Sequence, residues 1–194
     1  MKSNTWVWIA GIGLLFWLVT SVNTAAAAST LVLADGTTYN FNALLGQSIN
    51  GVTITADLLG RLTKLYLAMQ GKGLTALQIQ LMLSQALFET GLFTQAPNFH
   101  NMDVLNNYAG ITGNSRYPAG SGSGYAQYPS LDAFVDDWIG LISSSNDPID
   151  ATSVTDFVTR LRENGYYTDS IQNYGNGVAT YFNLLNSISS NNQA

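Results

Sequence analysis

Residues 75–93, TALQIQLMLSQALFETGLF, restrict the possible folds of this chain more than any other stretch. Leu77, Leu81, Gln85 and Phe88 recur at helical spacing, with Leu74 and Ala86 beside them. Ile79, Met82 and Leu83 lie off that stripe, so the helix is apolar nearly all round and belongs inside a core. Thr75 and Gln78 have capping-box spacing, which marks the start. Gly91 stands where a left-handed residue closes a helix.

One carboxylate, Glu89, interrupts this segment near its C-terminal end. A negative charge in the last turn faces the negative end of the helix dipole, and burial near a core raises a carboxylate's pKa by disfavouring the ion. Residues that break local rules are where function is expected. The plainer reading is a solvated glutamate at a frayed helix end. Composition bears on the choice, because Glu89 and Glu163 are the only glutamates beside ten aspartates. The chain does not use Glu freely to decorate its helices.

Composition also removes whole classes of chemistry. Charged residues make up 10% of the chain, the net charge is −5 and nothing basic clusters, so a nucleic-acid footprint is absent. With no cysteine there is neither a disulfide nor a thiol nucleophile. The single histidine, His100, reads as a loop residue, and alone it builds no His-based metal site or redundant Ser-His-Asp triad. No metal or cofactor is expected, and catalysis, if any, falls to carboxylates and tyrosines.

Residues 1–29 read as a targeting segment. Lys2 precedes an uncharged apolar run from Trp6 to Val19, followed by small residues with Ala25-Ala26-Ala27 as a cleavage site. The same segment fits a hydrophobic anchor helix with interfacial Trp6, Trp8 and Trp17, and both readings place the domain outside the membrane. Residues 30–56 form a short β-rich segment. Asp35-Gly36 gives a type I′ hairpin signal and Asn50-Gly51 a second turn. An edge ribbon packed on the domain is the plain reading of it.

The main helical domain spans 57–188, and 189–194 reads as a polar tail. Thr55 caps a first helix to Gln70 with Leu58, Leu62, Leu65 and Met69 on its buried face. Gln95 to Gly124 is irregular. Ser130 caps a helix burying Phe134, Trp138 and Leu141. Ser153 with Asp156 starts another, which buries Val154, Phe157, Val158 and Leu161 and is stopped by Gly165. A last helix runs roughly from Ser170 to Ser187 on Val178, Phe182 and Leu185. The fold class is therefore mainly α with a small N-terminal β-hairpin region.

Four segments follow one another in a telling order: Glu89-Thr90-Gly91, then Asn106-Asn107-Tyr108-Ala109-Gly110-Ile111, then Tyr125-Ala126-Gln127-Tyr128-Pro129-Ser130 with Asp137-Trp138 in the next helix, then FVTRLRENGYYTD over Phe157 to Asp169. The series resembles the glucosaminidase family of peptidoglycan hydrolases (glycoside hydrolase family 73), the domain of flagellar rod hydrolases and Gram-positive autolysins. That family reads, in outline, Q-A-x-x-E-[ST]-G, N-N-x-F-G-I-K, Y-x-S before a helix containing D-Y, and G-Y-A-T-D. The resemblance covers about Thr75 to Leu185, and its weight lies in the order of the motifs, none of which is specific alone.

The resemblance implies a lysozyme-like helical domain that cleaves β-1,4 bonds of the GlcNAc-MurNAc glycan strand, as a glucosaminidase or a muramidase. Carried over by position, it makes Glu89 the general acid. Tyr166 matches the tyrosine that lines the cleft near the acid, and Asn107 and Gly110 match the segment that shapes its floor. The chain departs from the family at Leu92-Phe93, where Trp-Gly is usual, and at Thr112, where Lys often stands. Many members carry a second acid in a β-hairpin before the Y-x-S. Here residues 112–127 hold no Asp or Glu, and the hairpin reads as replaced by a Gly/Ser loop.

Glycosidic cleavage needs a proton on the leaving oxygen and stabilisation of an oxocarbenium-like transition state, usually by a second carboxylate roughly 5 Å away for retention or about 6.5–9.5 Å for inversion. Asp103 is the nearest candidate, against its plainer reading as a loop Asx residue. Asp132 is explained by the helix dipole and Asp137 by a structural pairing. Without a second acid, two single-glutamate routes stay open. Either the substrate's N-acetyl oxygen attacks the anomeric carbon, or its 6-hydroxyl does and gives an anhydro product, as in lytic transglycosylases. Tyr166 or Tyr108 would then hold the N-acetyl group. Tyr108, Tyr117, Tyr125 and Tyr128 would stack on sugar faces or simply pack the glycine-rich loop. The competing function is a non-catalytic wall-binding or structural module of a phage particle or envelope machine. Every reading places the domain outside the cytoplasmic membrane, against the glycan strand.

Overall fold

The chain was analysed as a computed structural model, which describes residues 30–32, 36–93, 102–113, 116–120, 124–143 and 146–191. Residues 1–29, expected to be a leader or anchor, and His100 lie outside the described residues. Among the described residues, no helix is long and apolar enough to cross a membrane.

The fold is mainly helical, with a small antiparallel sheet. Strands β1 (Thr30–Val32) and β2 (Thr37–Asn40) are followed by a 3-10 turn over Phe41–Leu44 and a two-strand ribbon, β3 (Ser48–Ile49) and β4 (Val52–Thr53). The helices are α1 (Ala56–Gln70), α2 (Ala76–Glu89), the one-turn α3 (Met102–Leu105), α4 (Leu131–Ile142), α5 (Val154–Glu163) and α6 (Ile171–Ser187). Strand β5 (Ser189–Asn191) closes the described chain.

Local chemistry accounts for the helix ends. Thr55, Thr75, Ser130, Ser153 and Ser170 each accept a backbone N–H of the first turn through the side-chain oxygen, filling donors that a helix leaves open. At Thr75 the box is reciprocal, with the Gln78 side chain accepting the Thr75 N–H at 2.8 Å. At Ser153 it is not. Asp156 is one carbon shorter than Glu and instead accepts from the Thr152 N–H and from Arg160.

Helix α2 is the axis of the core. Nine of its residues, from Ile79 through Leu87, are buried, and it packs chiefly on α6 and α1. The apolar all-round pattern of this segment thus has its cause in neighbours on several sides. Helix α4 contributes Phe134, Val135, Trp138 and Ile142 to the core. Leu141 differs from expectation: it is 42% exposed and borders the cleft described below, because Val135 and Ile142 complete the buried stripe instead.

The β elements correct three expectations. Val32 pairs with Thr38 and Leu31 with Tyr39, while Asp35 lies outside the described residues. A two-residue Asp35-Gly36 turn would pair Ala34 with Thr37, one residue out of this register. The hydrophobic pattern selects the observed register: Tyr39 is buried and Leu31 packs on the core beside it, whereas the type I′ register would set Tyr39 against exposed Val32. At Asn50-Gly51 the type I′ turn does form, with φ of 51° and 80° and Ile49 paired to Val52. Residues 189–191, expected in a polar tail, form β5 and pair antiparallel with β2, so the sheet order is β1-β2-β5.

The third correction concerns residues 112–127. Thr112 bridges Tyr125 and Ala119 bridges Ala126, both antiparallel. The Gly113 N–H donates to Gly124 O at 3.0 Å, and the Gln127 N–H donates to Pro118 O at 3.0 Å. Backbone pairing therefore persists without a carboxylate. Gly113 permits it, since a Cβ there would lie 2.3 Å from the Ala119 backbone nitrogen.

Candidate active site

Two helix ends deliver the central side chains, and both end alike. After α2, the Gly91 N–H donates to Phe88 O at 3.3 Å and the Leu92 N–H to Leu87 O at 2.8 Å. After α5, the Gly165 N–H donates to Arg162 O at 3.0 Å and the Tyr166 N–H to Leu161 O at 2.9 Å. Both are Schellman closures around a left-handed glycine, with φ of 53° at Gly91 and 73° at Gly165. The first leaves Glu89 in the final helical position and the second swings Tyr166 off α5.

The turn after Gly91 stays left-handed at Leu92 and Phe93, with φ of 61° and 58°. Each costs about 1–2 kcal/mol for a residue with a Cβ. Both side chains are almost fully buried, and burying a Leu or Phe stabilises by about 1.5–3 kcal/mol. Burial therefore outweighs strain, and Leu92-Phe93 form a hydrophobic plug directly after the helix end that carries Glu89. Thr90 reinforces the bend, donating to Ala86 O at 2.6 Å and accepting the Phe93 N–H at 3.0 Å.

Glu89 is half-buried, and its Oε1 accepts the Tyr174 hydroxyl at 2.5 Å. Gln85 Nε2, one turn back on α2, donates to the Tyr174 hydroxyl at 3.4 Å. The Tyr174 ring is fixed on both sides. Tyr167 stacks on it at 3.7 Å and 5°, and Phe88 meets it edge-on at 5.1 Å. The Tyr167 hydroxyl donates to Val158 O at 2.8 Å. Burial raises the Glu89 pKa, the Tyr174 hydrogen bond lowers it, and burial wins. Burial and the nearby Glu89 charge raise the Tyr166 phenol, with Gln85 and Trp138 offsetting part of the rise. The Tyr174 phenol is raised by burial and by Glu89. Both phenols therefore stay protonated and can donate.

These residues border a cleft of about 670 Å3, within the usual range for ligand sites of roughly 300–1,000 Å3. Glu89, Gly110, Leu141, Tyr166 and Tyr174 line it. A second hollow of about 420 Å3 shares Phe88 and Glu89 with the first and is otherwise lined by different residues. The two hollows thus share a carboxyl whose pKa burial raises, with the Tyr166 and Tyr174 hydroxyls lining the larger one. Among the described residues, no group of three or more His, Cys, Asp or Glu could hold a metal ion.

No family model matches the chain, and no curated protein and no solved structure matches it.

The structure brings Glu89, Tyr166 and Gly110 together at the cleft. Asn107 stands behind it. Its Nδ2 donates to Ile111 O at 2.8 Å and Ala126 O at 3.0 Å, and its Oδ1 accepts the Ile111 N–H at 3.1 Å. This clamp holds the 109–112 segment against the cleft and ties it to the paired strand segment at Ala126.

Asp103, Tyr108 and Tyr128 do not line that cleft. Asp103 pairs with Arg61 at 3.2 Å and accepts the Tyr108 hydroxyl at 2.6 Å. Burial alone would raise its carboxyl, but Tyr108 and Arg61 hold it below the usual carboxylate range. Tyr108 is buried edge-on against Phe93 and Phe134. Tyr128 is buried, donates to Asp137 Oδ2 at 2.9 Å and packs on Tyr117 at 4.6 Å. These two phenols brace the loop from inside the core.

Sequence reasoning missed Tyr174, Tyr167 and Asp169. Tyr174 carried a signal, since it lies four residues before Val178 on the buried stripe of α6, a place where a phenol needs a polar partner. Asp169 borders the same cleft as Glu89. It is exposed, and its Oδ1 accepts the Ser170 N–H at 2.6 Å and Asn173 Nδ2 at 3.3 Å.

Proposed function

We propose that this protein is a peptidoglycan glycosidase of lysozyme-like fold that cleaves β-1,4 bonds of the GlcNAc-MurNAc strand, with Glu89 as the general acid. One observation carries the reading: a half-buried glutamate, its pKa raised by burial and its carboxylate tethered by Tyr174, lines both hollows. A carboxyl whose pKa is raised by burial is suited to protonating a glycosidic oxygen. The order of the four motifs supplies the substrate class.

Glu89 gives its proton to the leaving oxygen as the glycosidic bond breaks. The substrate's N-acetyl oxygen attacks the anomeric carbon, and Tyr166, kept protonated beside Glu89, hydrogen-bonds the acetamide. Water then opens the cyclic intermediate while the Glu89 carboxylate takes up the water's proton. The single-glutamate route is preferred because the paired segment over 112–127 holds no acid, Asp103 is bound to Arg61 and Tyr108, and Asp169, which shares the cleft, is exposed with its Oδ1 engaged by the Ser170 N–H and Asn173 Nδ2. Residues 1–29 would export the domain or anchor it, facing the wall.

The test is mass spectrometry of muropeptides after digestion, with Glu89→Gln as the comparison. Hydrolysed glycan fragments from the wild type and none from folded Glu89→Gln are expected. An anhydro product would turn the reading to a lytic transglycosylase. Binding to sacculi with neither product would replace it with a wall-binding module.

A further inference from the structure

The second hollow lined by Glu89 is built partly by residues outside the stretch that carries the family resemblance. Asn50 and Val52, from the β3–β4 ribbon, face Gly91, Gly177, Thr180 and Tyr181 across about 420 Å3. The ribbon is held in place: Asn50 Nδ2 donates to the Tyr181 hydroxyl at 3.5 Å, and the Gln47 and Ile54 backbones are tied at 2.8 Å where the ribbon leaves the core. The left-handed Asn50-Gly51 turn fixes the amide of Asn50 at its tip.

The chemistry of this hollow is neutral and hydroxyl-rich. Apart from Glu89 it is lined by no charged residue. The Tyr181 hydroxyl accepts from Asn50 and so retains its own hydrogen to donate, and the Asn50 amide oxygen remains an acceptor. The Thr180 hydroxyl donates to Asn176 O at 2.9 Å and retains lone pairs. Gly91 and Gly177 keep the floor low. At Gly177 there is no room for more, since a Cβ would lie 2.1 Å from the Phe88 ring. Donors and acceptors without charge, around an aromatic edge, suit an uncharged sugar ring and its acetamide rather than a charged stem peptide.

We propose that the β3–β4 ribbon is a wall of the substrate groove and forms a saccharide subsite across the acid from the larger cleft, with Asn50 and Tyr181 as its polar contacts. Sugars then occupy both sides of Glu89, and the enzyme cuts within a glycan strand instead of trimming its end. The proposal rests on the glycosidase reading above and adds residues 48–53 to the active groove.

The experiment uses the full chain and glycan oligomers freed of stem peptides. Asn50→Gly keeps a residue suited to positive φ, so the turn survives while the amide is lost. Tyr181→Phe keeps the buried ring. Each is expected to raise KM about three- to tenfold, the size of one or two lost neutral hydrogen bonds, with kcat within about twofold. Product lengths should shift toward the chain ends. In a Glu89→Gln background, calorimetric affinity for the same oligomers should fall by the same factor. Wild-type cleavage with KM and product lengths unchanged in both variants overturns the subsite and leaves the glycosidase standing. No cleavage by the wild type overturns the glycosidase itself.

Discussion

Tyr174 donates its phenolic hydrogen to Glu89 Oε1 at 2.5 Å, across 85 residues of sequence. The contact joins the first turn of α6 to the last turn of α2, and the Tyr167 stack fixes its direction. It stabilises ionised Glu89 while burial works against ionisation, so the pKa of this carboxyl is set by two opposed causes.

Removing the donor tests that balance. In Tyr174→Phe, ionised Glu89 loses its partner and its pKa rises further. A general acid must be protonated, so activity falls as pH climbs through that pKa. The alkaline limb of the pH–rate profile should therefore move to higher pH, with the ring packing retained. A limb that stays put, or moves toward acid, would show that Tyr174 does not tune Glu89.

Glu89 should also cost stability. Its folded pKa lies above the unfolded value, so the folded state binds the proton more tightly. The penalty is absent below the ordinary carboxylate range and grows as pH rises through the folded pKa. Glu89→Gln is neutral throughout and can still accept from Tyr174. Its melting temperature should exceed that of the wild type at pH ~7, and the two should converge near pH ~4. Calorimetry at the two pH values decides it.

Gly177 holds the groove by having no side chain. A Cβ there would lie 2.1 Å from the Phe88 ring, and Phe88 packs edge-on against Tyr174. Gly177→Ala should destabilise by about 1–3 kcal/mol through overpacking and depress cleavage by shifting Tyr174 from Glu89. Gly140 on α4 meets nothing within 4 Å. Gly140→Ala should instead stabilise by about 0.5–1 kcal/mol. Denaturant midpoints of the pair give the contrast.

Asp103 has the opposite pH signature to Glu89. Its carboxyl is held below the usual range, so its contribution is present above the unfolded pKa and lost as pH falls through the folded one. Its side chain is half exposed, which limits the ion pair to at most about 1 kcal/mol. Asp103→Asn should lose about that much at pH ~7 and less at pH ~3, read as urea midpoints. An equal loss at both values would show that the Arg61 pairing contributes nothing.

The helix starts were legible because a cap is a contact three residues long. Thr75 with Gln78 and Ser130 with Ala133 are satisfied within one turn, whatever surrounds them. The Asn50-Gly51 turn was legible for the same reason. Glu89 was legible as a local misfit on an apolar helix. The register of β1 on β2 was not legible, because it follows the burial of Tyr39 beside Leu31 and not the Asp35-Gly36 signal.

By itself, then, the sequence determined the elements, their caps and the isolation of one glutamate in the core helix, since each depends on neighbours a few residues apart. The tertiary structure alone decided what surrounds that glutamate. Pairing β5 with β2, tying Asp103 to Arg61 and seating Tyr174 on Glu89 all join residues distant in the chain. Such contacts are selected by the burial of whole faces and the satisfaction of buried polar atoms, which no local pattern encodes.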